Sequence, residues 1–499
     1  MSQVRSQVRS QVFRRPAIVL ALSGLAILSV VTAPGAAAEP RSGDAPAVSE
    51  PDTEPGTESG TEPDIEPGTE PDAEPDAEAL AEAAAVTELL VDWNRSALAL
   101  AEAEDGFLTL KGLRTAAMMH LAIHDALNAI RADYAPYAMR GRAPAADPLA
   151  AAAEAAHRVV ASQYPDAAEE LAARHERWLE RVPDEGPGKA DGREIGAAAA
   201  AAILDRRQGD RWDGEAEYQW HPMAPGVYAE FREHSGTPEG FVFGAGWAEA
   251  KPFVLTHPSQ FRVPPPPATS SDAYTRAFRE VKAVGSHDSA TRTADQTHMA
   301  MWWKDFAENS HNRLARKLVA ERDPGPWAAA RLFALLNMAI YDGYLGVFEN
   351  KFHYNHWRPY TAIRWAADDD NPDTEADPEW DNLHRHTYAF PTYPSAHGTA
   401  CAAAATVLAD SFGDDHAFTM STPRVDEAGP MSGKIAMDPP TRSFDSFSAA
   451  AEECALSRVY LGIHFRYDST YGTDLGNAIG GWVVEKALTR LDGGDQKGR

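Results

Sequence analysis

Alanine-rich runs whose apolar residues recur every three or four positions leave most of this chain little choice but to be helical. Val86 to Ala103, Leu113 to Ala132, Pro148 to Gln163, Glu169 to Arg181 and Gly192 to Arg207 fit that spacing. Asp272 to Val284, Ala290 to Trp303, Ser310 to Ala320 and Trp327 to Phe348 resume it. No run alternates apolar and polar residues well enough to suggest a sheet. The expected fold is therefore all-α, one domain or two fused helical bundles. From Trp212 to Ser271, glycine, proline and aromatic residues crowd together, which reads as a long irregular excursion across the surface.

The N-terminus reads as targeting and spacer. Arg5, Arg9, Arg14 and Arg15 precede an apolar run from Ala17 to Val31, and Ala36-Ala37-Ala38 offers a small-residue cleavage site. Residues 1–38 are thus expected to be a signal peptide, with a run too short for a membrane span of about 20 residues. The mature chain is expected to be secreted and to carry no transmembrane domain, and Arg14-Arg15 leaves the twin-arginine route open beside the general one. From Glu50 to Ala77 a four-residue unit such as Glu-Pro-Asp-Thr recurs, so residues 39–85 read as a disordered, solvated acidic linker. A folded domain is expected over 86–490 and a flexible tail over 491–499.

The net charge of −28 argues against nucleic acid as a partner. Any anion site must then concentrate Lys and Arg locally against the global field. Two cysteines, Cys401 and Cys454, are too few for a disulfide scaffold. They are open either to pairing, in an exported protein, or to lying as buried free thiols.

Three segments in the last third carry the chemistry: Lys351 to Pro359, Pro394-Ser395-Ala396-His397 opening an Ala-rich helix, and Ser457 to Asp468. A tetrahedral oxyanion needs several fixed cations, donors for its remaining lone pairs and a group to handle a proton. Lys351, Arg358 and Arg458 supply three positive charges, two on rigid guanidinium forks. Ser395 at a helix start can turn its hydroxyl and the amides of Ala396 and His397 toward an anion. His464 lies six residues beyond Arg458, near two helical turns, so a continuous helix would let both address one pocket. Asp468 follows at i+4, placed to hold the imidazole tautomer.

Lys-x6-Arg-Pro, Pro-Ser-Gly-His and Ser-Arg-x5-His-x3-Asp together form the signature that this chain resembles, shared by vanadium-dependent haloperoxidases and type-2 phosphatidic acid phosphatases. Ala396 stands where those families usually have Gly. Trp93-Asn94, Ala117 to His120, His124 to Asn128, Pro252 to Ser271, Glu280 to Lys282 and Arg292 to Gln296 look like segments of the soluble bacterial haloperoxidase-like branch. The resemblance spans residues 86–490, with the site in 351–468, and implies a helical bundle of the haloperoxidase and acid phosphatase type with long irregular loops. It implies that Lys351, Arg358, Ser395, Ala396 through its amide, His397, Arg458 and His464 surround vanadate or phosphate. His464 would be the vanadium ligand, or the nucleophile toward phosphorus. His397 would be the acid-base group, Asp468 the partner of His464, and Lys351 would polarise the peroxide.

The implied activity is vanadate-dependent oxidation of a halide or organic substrate by hydrogen peroxide. The alternative is acid phosphatase hydrolysis through a phosphohistidine, with no cofactor. Two other classes compete. His353, His356, His384 and His386 raise a zinc or iron hydrolase, although they lack the i, i+4 spacing of a zincin. A purely anion-binding protein would need the cations but not both His397 and His464. His120 and His124 are expected to pack a helix.

Overall fold

The structure, a computed structural model, describes residues 77–184, 186–229, 242–430 and 432–491. The expected signal peptide, the linker as far as residue 76 and tail residues 492–499 lie outside them. Helices α1 (Ala77–Asp105), α2 (Lys111–Ile130), α3 (Pro148–Gln163), α4 (Ala168–Leu179) and α5 (Gly188–Arg206) come first. Then follow α6 (Asp272–Val284), α7 (Ala294–Trp302), α8 (Ala307–Arg322), α9 (Pro326–Tyr354), α10 (Pro359–Arg364), α11 (Ala396–Phe412), α12 (Phe447–Tyr460) and α13 (Arg466–Lys486). The mainly helical expectation holds, and α3 and α6 begin and end where their spacing put them. None of the described helices is long and apolar enough to cross a membrane.

Two details depart from the sequence reading. Helix α1 starts at Ala77, inside the stretch read as linker, because prolines stop there and Ala, Glu and Leu, all strong helix formers, take over. Between α11 and α12, β1 (Phe418–Ser421) pairs antiparallel with β4 (Thr441–Phe444), and β2 (Arg424–Asp426) with β3 (Lys434–Ala436). Strands this short hold too few residues to register as an alternating run.

The helices repeat one design twice. Ala122-Ile123-His124-Asp125 in α2 matches Ala339-Ile340-Tyr341-Asp342 in α9. Asp125 accepts the backbone amides of Tyr137, Ala138 and Met139 at 2.7, 2.7 and 2.8 Å. Asp342 accepts those of Phe253, Val254 and Leu255 at 2.7, 2.8 and 2.9 Å. Helix α5 packs on α3 as α13 packs on α11, with a glycine at the crossing. A Cβ on Gly192 would stand 2.6 Å from the carbonyl oxygen of Asp147, and one on Gly472 would stand 2.6 Å from that of Ser395. The two halves share one apolar core, α2 against α9.

The repeat also shows why the halves differ. Asp147 caps α3, its carboxylate taking the Ala150 amide at 2.7 Å. A negative cap fills the helix start that an anion would use. Helix α11 is capped by neutral Ser395 instead, so its first turn carries no negative side chain at the cap.

Candidate active site

The three segments converge at the N-terminal end of α11. Lys351 lies in the last turn of α9, and Asn355, left-handed at φ 49, turns the chain so that Arg358 becomes the N-cap residue of α10. Ser395 accepts the Gly398 amide on its hydroxyl at 3.3 Å and donates its own amide to the Asp468 carbonyl at 2.9 Å. Ala396 and His397 open the helix, where first-turn amides have no partner one turn back. Ala396 is not among the residues with positive φ, so alanine in place of glycine asks nothing unusual of the backbone.

His464 reaches the site without the continuous helix that would have let it share a face with Arg458. Helix α12 ends at Tyr460, two residues after Arg458, and His464 does not continue it. Gly462, at φ +83, reverses the chain, and His464 sits just ahead of α13, whose first turn holds Asp468. Asp468 Oδ2 accepts His464 Nδ1–H at 2.9 Å, the Thr392 hydroxyl at 2.6 Å and the Phe465 amide at 3.0 Å. Thr392 Oγ1 also lies 2.9 Å from His464 Nδ1. With Nδ1 so held, Nε2 carries the lone pair and faces Arg358 Nη1 at 3.4 Å.

Alanine at Gly462 would need a left-handed backbone and would drive its Cβ into the Gly285 carbonyl and, at 2.7 Å, the Asn382 Cβ. Gly462→Ala is expected to lose about 1–3 kcal/mol of stability. Urea unfolding measures that loss. Any oxyanion affinity of the pocket should fall with it, because the turn aims His464.

Lys351, Arg358 and Arg458 are 0, 1 and 1 % exposed. Backbone carbonyls hold them in place. Lys351 Nζ donates to Pro391 and Thr392 at 3.1 and 2.6 Å. Arg358 donates from Nε to Phe390 at 2.9 Å and from Nη1 to Ile463 at 3.1 Å, and Arg458 Nη1 donates to Trp303 at 3.1 Å. The Phe390 ring lies 5.3 Å from Lys351 Nζ and 4.6 Å from the Arg358 guanidinium, walling off water on that side.

The electrostatics follow from burial. Desolvation, then Arg358, holds Lys351 well below the usual lysine range, and desolvation takes Arg358 down to about 10. It pushes Asp468 up to about 7. His464 and His397 are held well below the usual imidazole range, first by burial and then by Arg358 and Arg458 respectively. Among the described residues Arg358 Nη2, Arg458 Nε and His397 Nε2 have no hydrogen-bond partner. Orphaned donors on buried cations are costly unless a group of opposite charge meets them. A multiply charged tetrahedral oxyanion fits this donor set of guanidinium, ammonium, hydroxyl and helix amides.

Several contributors escaped the sequence reading. Thr392, which shares Asp468 with His464, and Phe390 lie in the aromatic and proline run just before Ser395, a signal that could have drawn attention to them. Trp303 and Asp305 sit in the turn between α7 and α8, which carries no comparable signal. Trp303 holds Arg458 through its carbonyl, and the backbone of Asp305 faces the His397 ring.

The other histidines fall elsewhere. His353 is exposed, and His356 bridges the Gly226 carbonyl and the Tyr467 hydroxyl at 2.9 and 2.8 Å. The His384 and His386 rings are 5.4 Å apart. No group of three or more potential ligands able to hold a metal occurs among the described residues. His120 meets the Asn94 amide at 3.0 Å and stacks on Phe333, and His124 meets Asn128 at 2.9 Å, consistent with helix packing.

Beside the site, Glu308 is 4 % exposed and accepts the Tyr344 hydroxyl at 2.8 Å. Burial pushes its pKa from 4.5 up to about 7. The folded state therefore binds more protons than the unfolded state between those values, and stability falls as pH rises across that window. Glu308→Gln keeps an acceptor for Tyr344 and removes the titration. Denaturant unfolding at pH 5 and pH 8 should show the parent losing about 2.5 kcal/mol through this group, and the variant losing none of it.

Comparison with known proteins gives a consistent result. Residues 331–493 match the family model described as the VCPO second helical-bundle domain. Vanadium chloroperoxidase of Curvularia inaequalis is 25 % identical over 273 residues, 42 % of this chain and 43 % of that protein, so the match spans less than half the relative's length. The fold is shared with the first bacterial vanadium-dependent iodoperoxidase, at TM-score 0.64 and 22 % identity over 83 % of this chain and 97 % of that one. A holo-type bacterial vanadium-dependent chloroperoxidase superposes at TM-score 0.58 and 19 % identity, covering 75 % and 90 % of the two chains. The family model and the sequence relative are of the vanadium haloperoxidases that the motifs resemble, and the solved structures share the fold.

Proposed function

We propose that this chain, a helical-bundle relative of the vanadium-dependent haloperoxidases, is a vanadate-dependent enzyme that uses hydrogen peroxide to oxidise a halide or an organic substrate. The observation that carries this reading is the group of three buried cations around His464, two of which, Arg358 and Arg458, keep an unmet donor, with His464 Nδ1 locked by Asp468. Vanadate bound there would supply an electrophilic centre that activates peroxide for oxygen transfer. Lys351, Arg358, Arg458, Ser395 and the Ala396 amide would hold its oxygens, and Lys351 would also polarise the peroxide. His464 Nε2 would bond the central atom, with Asp468 and Thr392 keeping its tautomer. His397 Nε2 would deliver or accept the proton at the reacting oxygen.

The neutral, oriented His464 supports a second reading. Given a phosphate ester, its Nε2 would attack phosphorus while His397 protonates the departing alkoxide, and no cofactor would be needed. The upstream segments favour the peroxidase. In either case the partners are small molecules, and the N-terminal 38 residues would export the enzyme.

Purified protein given orthovanadate, peroxide and bromide or an organic sulfide should oxidise them only when vanadate is present, and phosphate should compete with vanadate. Hydrolysis of phosphate esters without any oxidation, inhibited by vanadate, would sink the peroxidase reading in favour of the phosphatase.

A further inference from the structure

Of the two states left open for the cysteines, the structure has the bonded one: Cys401 and Cys454 are joined, with Cα atoms 6.6 Å apart. Both are buried, at 1 and 0 % exposure. Their positions follow those of the site. Cys401 lies four residues after His397 on α11, and Cys454 lies four residues before Arg458 on α12. Each sulfur is thus one helical turn from a residue of the oxyanion site. Cys454 Sγ approaches the carbonyl of His397 itself, at 3.8 Å.

That link joins two parts that the chain connects loosely. Among the described residues between Phe412 and Phe447 run only loops and two short ribbons. No continuous helix fixes α12 against α11. Arg458 has the Trp303 carbonyl for Nη1 and the Tyr388 hydroxyl as a side-chain partner, neither of them on α11, while its Nε is unmet. The distance between its guanidinium and the His397 ring therefore depends on how α11 and α12 are set against each other. Oxyanion sites tolerate displacements of only about 0.5 Å before binding suffers.

We propose that the Cys401–Cys454 disulfide is a positioning device for the oxyanion site, holding Arg458 and His397 at a set separation, and not only a general stabiliser of the fold. The proposal rests on the oxyanion reading above. Its prediction is about anion affinity, so it does not depend on whether peroxide or an ester is the substrate.

The test is equilibrium dialysis of orthovanadate against the full-length protein, the Cys401→Ala/Cys454→Ala variant and a Gly192→Ala control. The control strains the equivalent crossing in the first bundle, far from the anion, and reports what destabilisation alone does. A second variant, Cys401→Ala/Cys454→Val, refills part of the sulfur volume without the covalent link, in case the first does not fold. At a temperature where near-UV circular dichroism shows all of them folded, the disulfide variants should bind vanadate at least tenfold more weakly, and the control within twofold of the parent. A lower melting temperature with vanadate affinity within twofold of the parent would overturn the proposal and leave the site reading intact. No vanadate binding by the parent would overturn both.

Discussion

Replacing His464 with alanine is expected to reduce vanadate-dependent oxidation to background, a loss of at least about 10³-fold. Removing a single non-covalent donor from an oxyanion site already costs about 10²–10³-fold, and His464 is asked for more. Its Nδ1 is committed to Asp468 at 2.9 Å, so Nε2 is the atom offered to the anion. Lys351, Arg358 and Arg458 remain in the variant. Vanadate should therefore still bind, weakly and in rapid exchange, because the cations attract the anion without anchoring its central atom. Turnover assays beside equilibrium dialysis would separate the two effects. A variant retaining a tenth of the parent's turnover would mean that His464 is not the anchor. Loss of ester hydrolysis on the same substitution would identify it as the nucleophile of the second reading.

His397→Ala should behave differently, lowering turnover by about 10²–10⁴-fold while leaving vanadate affinity within a few-fold. Burial and then Arg458 hold this imidazole neutral, so it adds no fixed charge to the cradle. A negative oxyanion beside Nε2 opposes both influences and favours the protonated ring, which suits a group that hands a proton to a leaving oxygen. The kinetic signature is therefore a fall in kcat with little change in binding. In ester hydrolysis the loss should be much larger for alkyl esters than for activated aryl esters, whose leaving groups need no proton. Equal losses for both ester types would deny His397 the acid role.

Gly462, Thr392 and the disulfide mark the boundary between what local sequence reveals and what folding adds. The helices were legible because a period near 3.6 residues is written in consecutive positions, and Ala-rich runs such as Pro148 to Gln163 have few other stable conformations. The cations and histidines were legible because their chemistry is carried by residue type, in three segments whose internal spacing is short. The repeat of Ala-Ile-x-Asp in α2 and α9 was also present in the sequence, but its meaning appears only when both aspartates are seen gathering loop amides.

What tertiary structure alone decided is how those groups are aimed. The spacing of Arg458 and His464 would have served one continuous helix, but it did not require one: Gly462 turns the chain between them and a separate helix brings Asp468 to the imidazole. The carbonyls of Phe390, Pro391, Thr392, Ile463 and Trp303 orient the three cations. A backbone carbonyl is the same in every residue and leaves no mark in sequence. The pairing of Cys401 with Cys454 likewise depends on how α11 and α12 cross. Residue identity and local period are properties of short stretches of chain, whereas the separation of two side chains on different helices is set by packing between them.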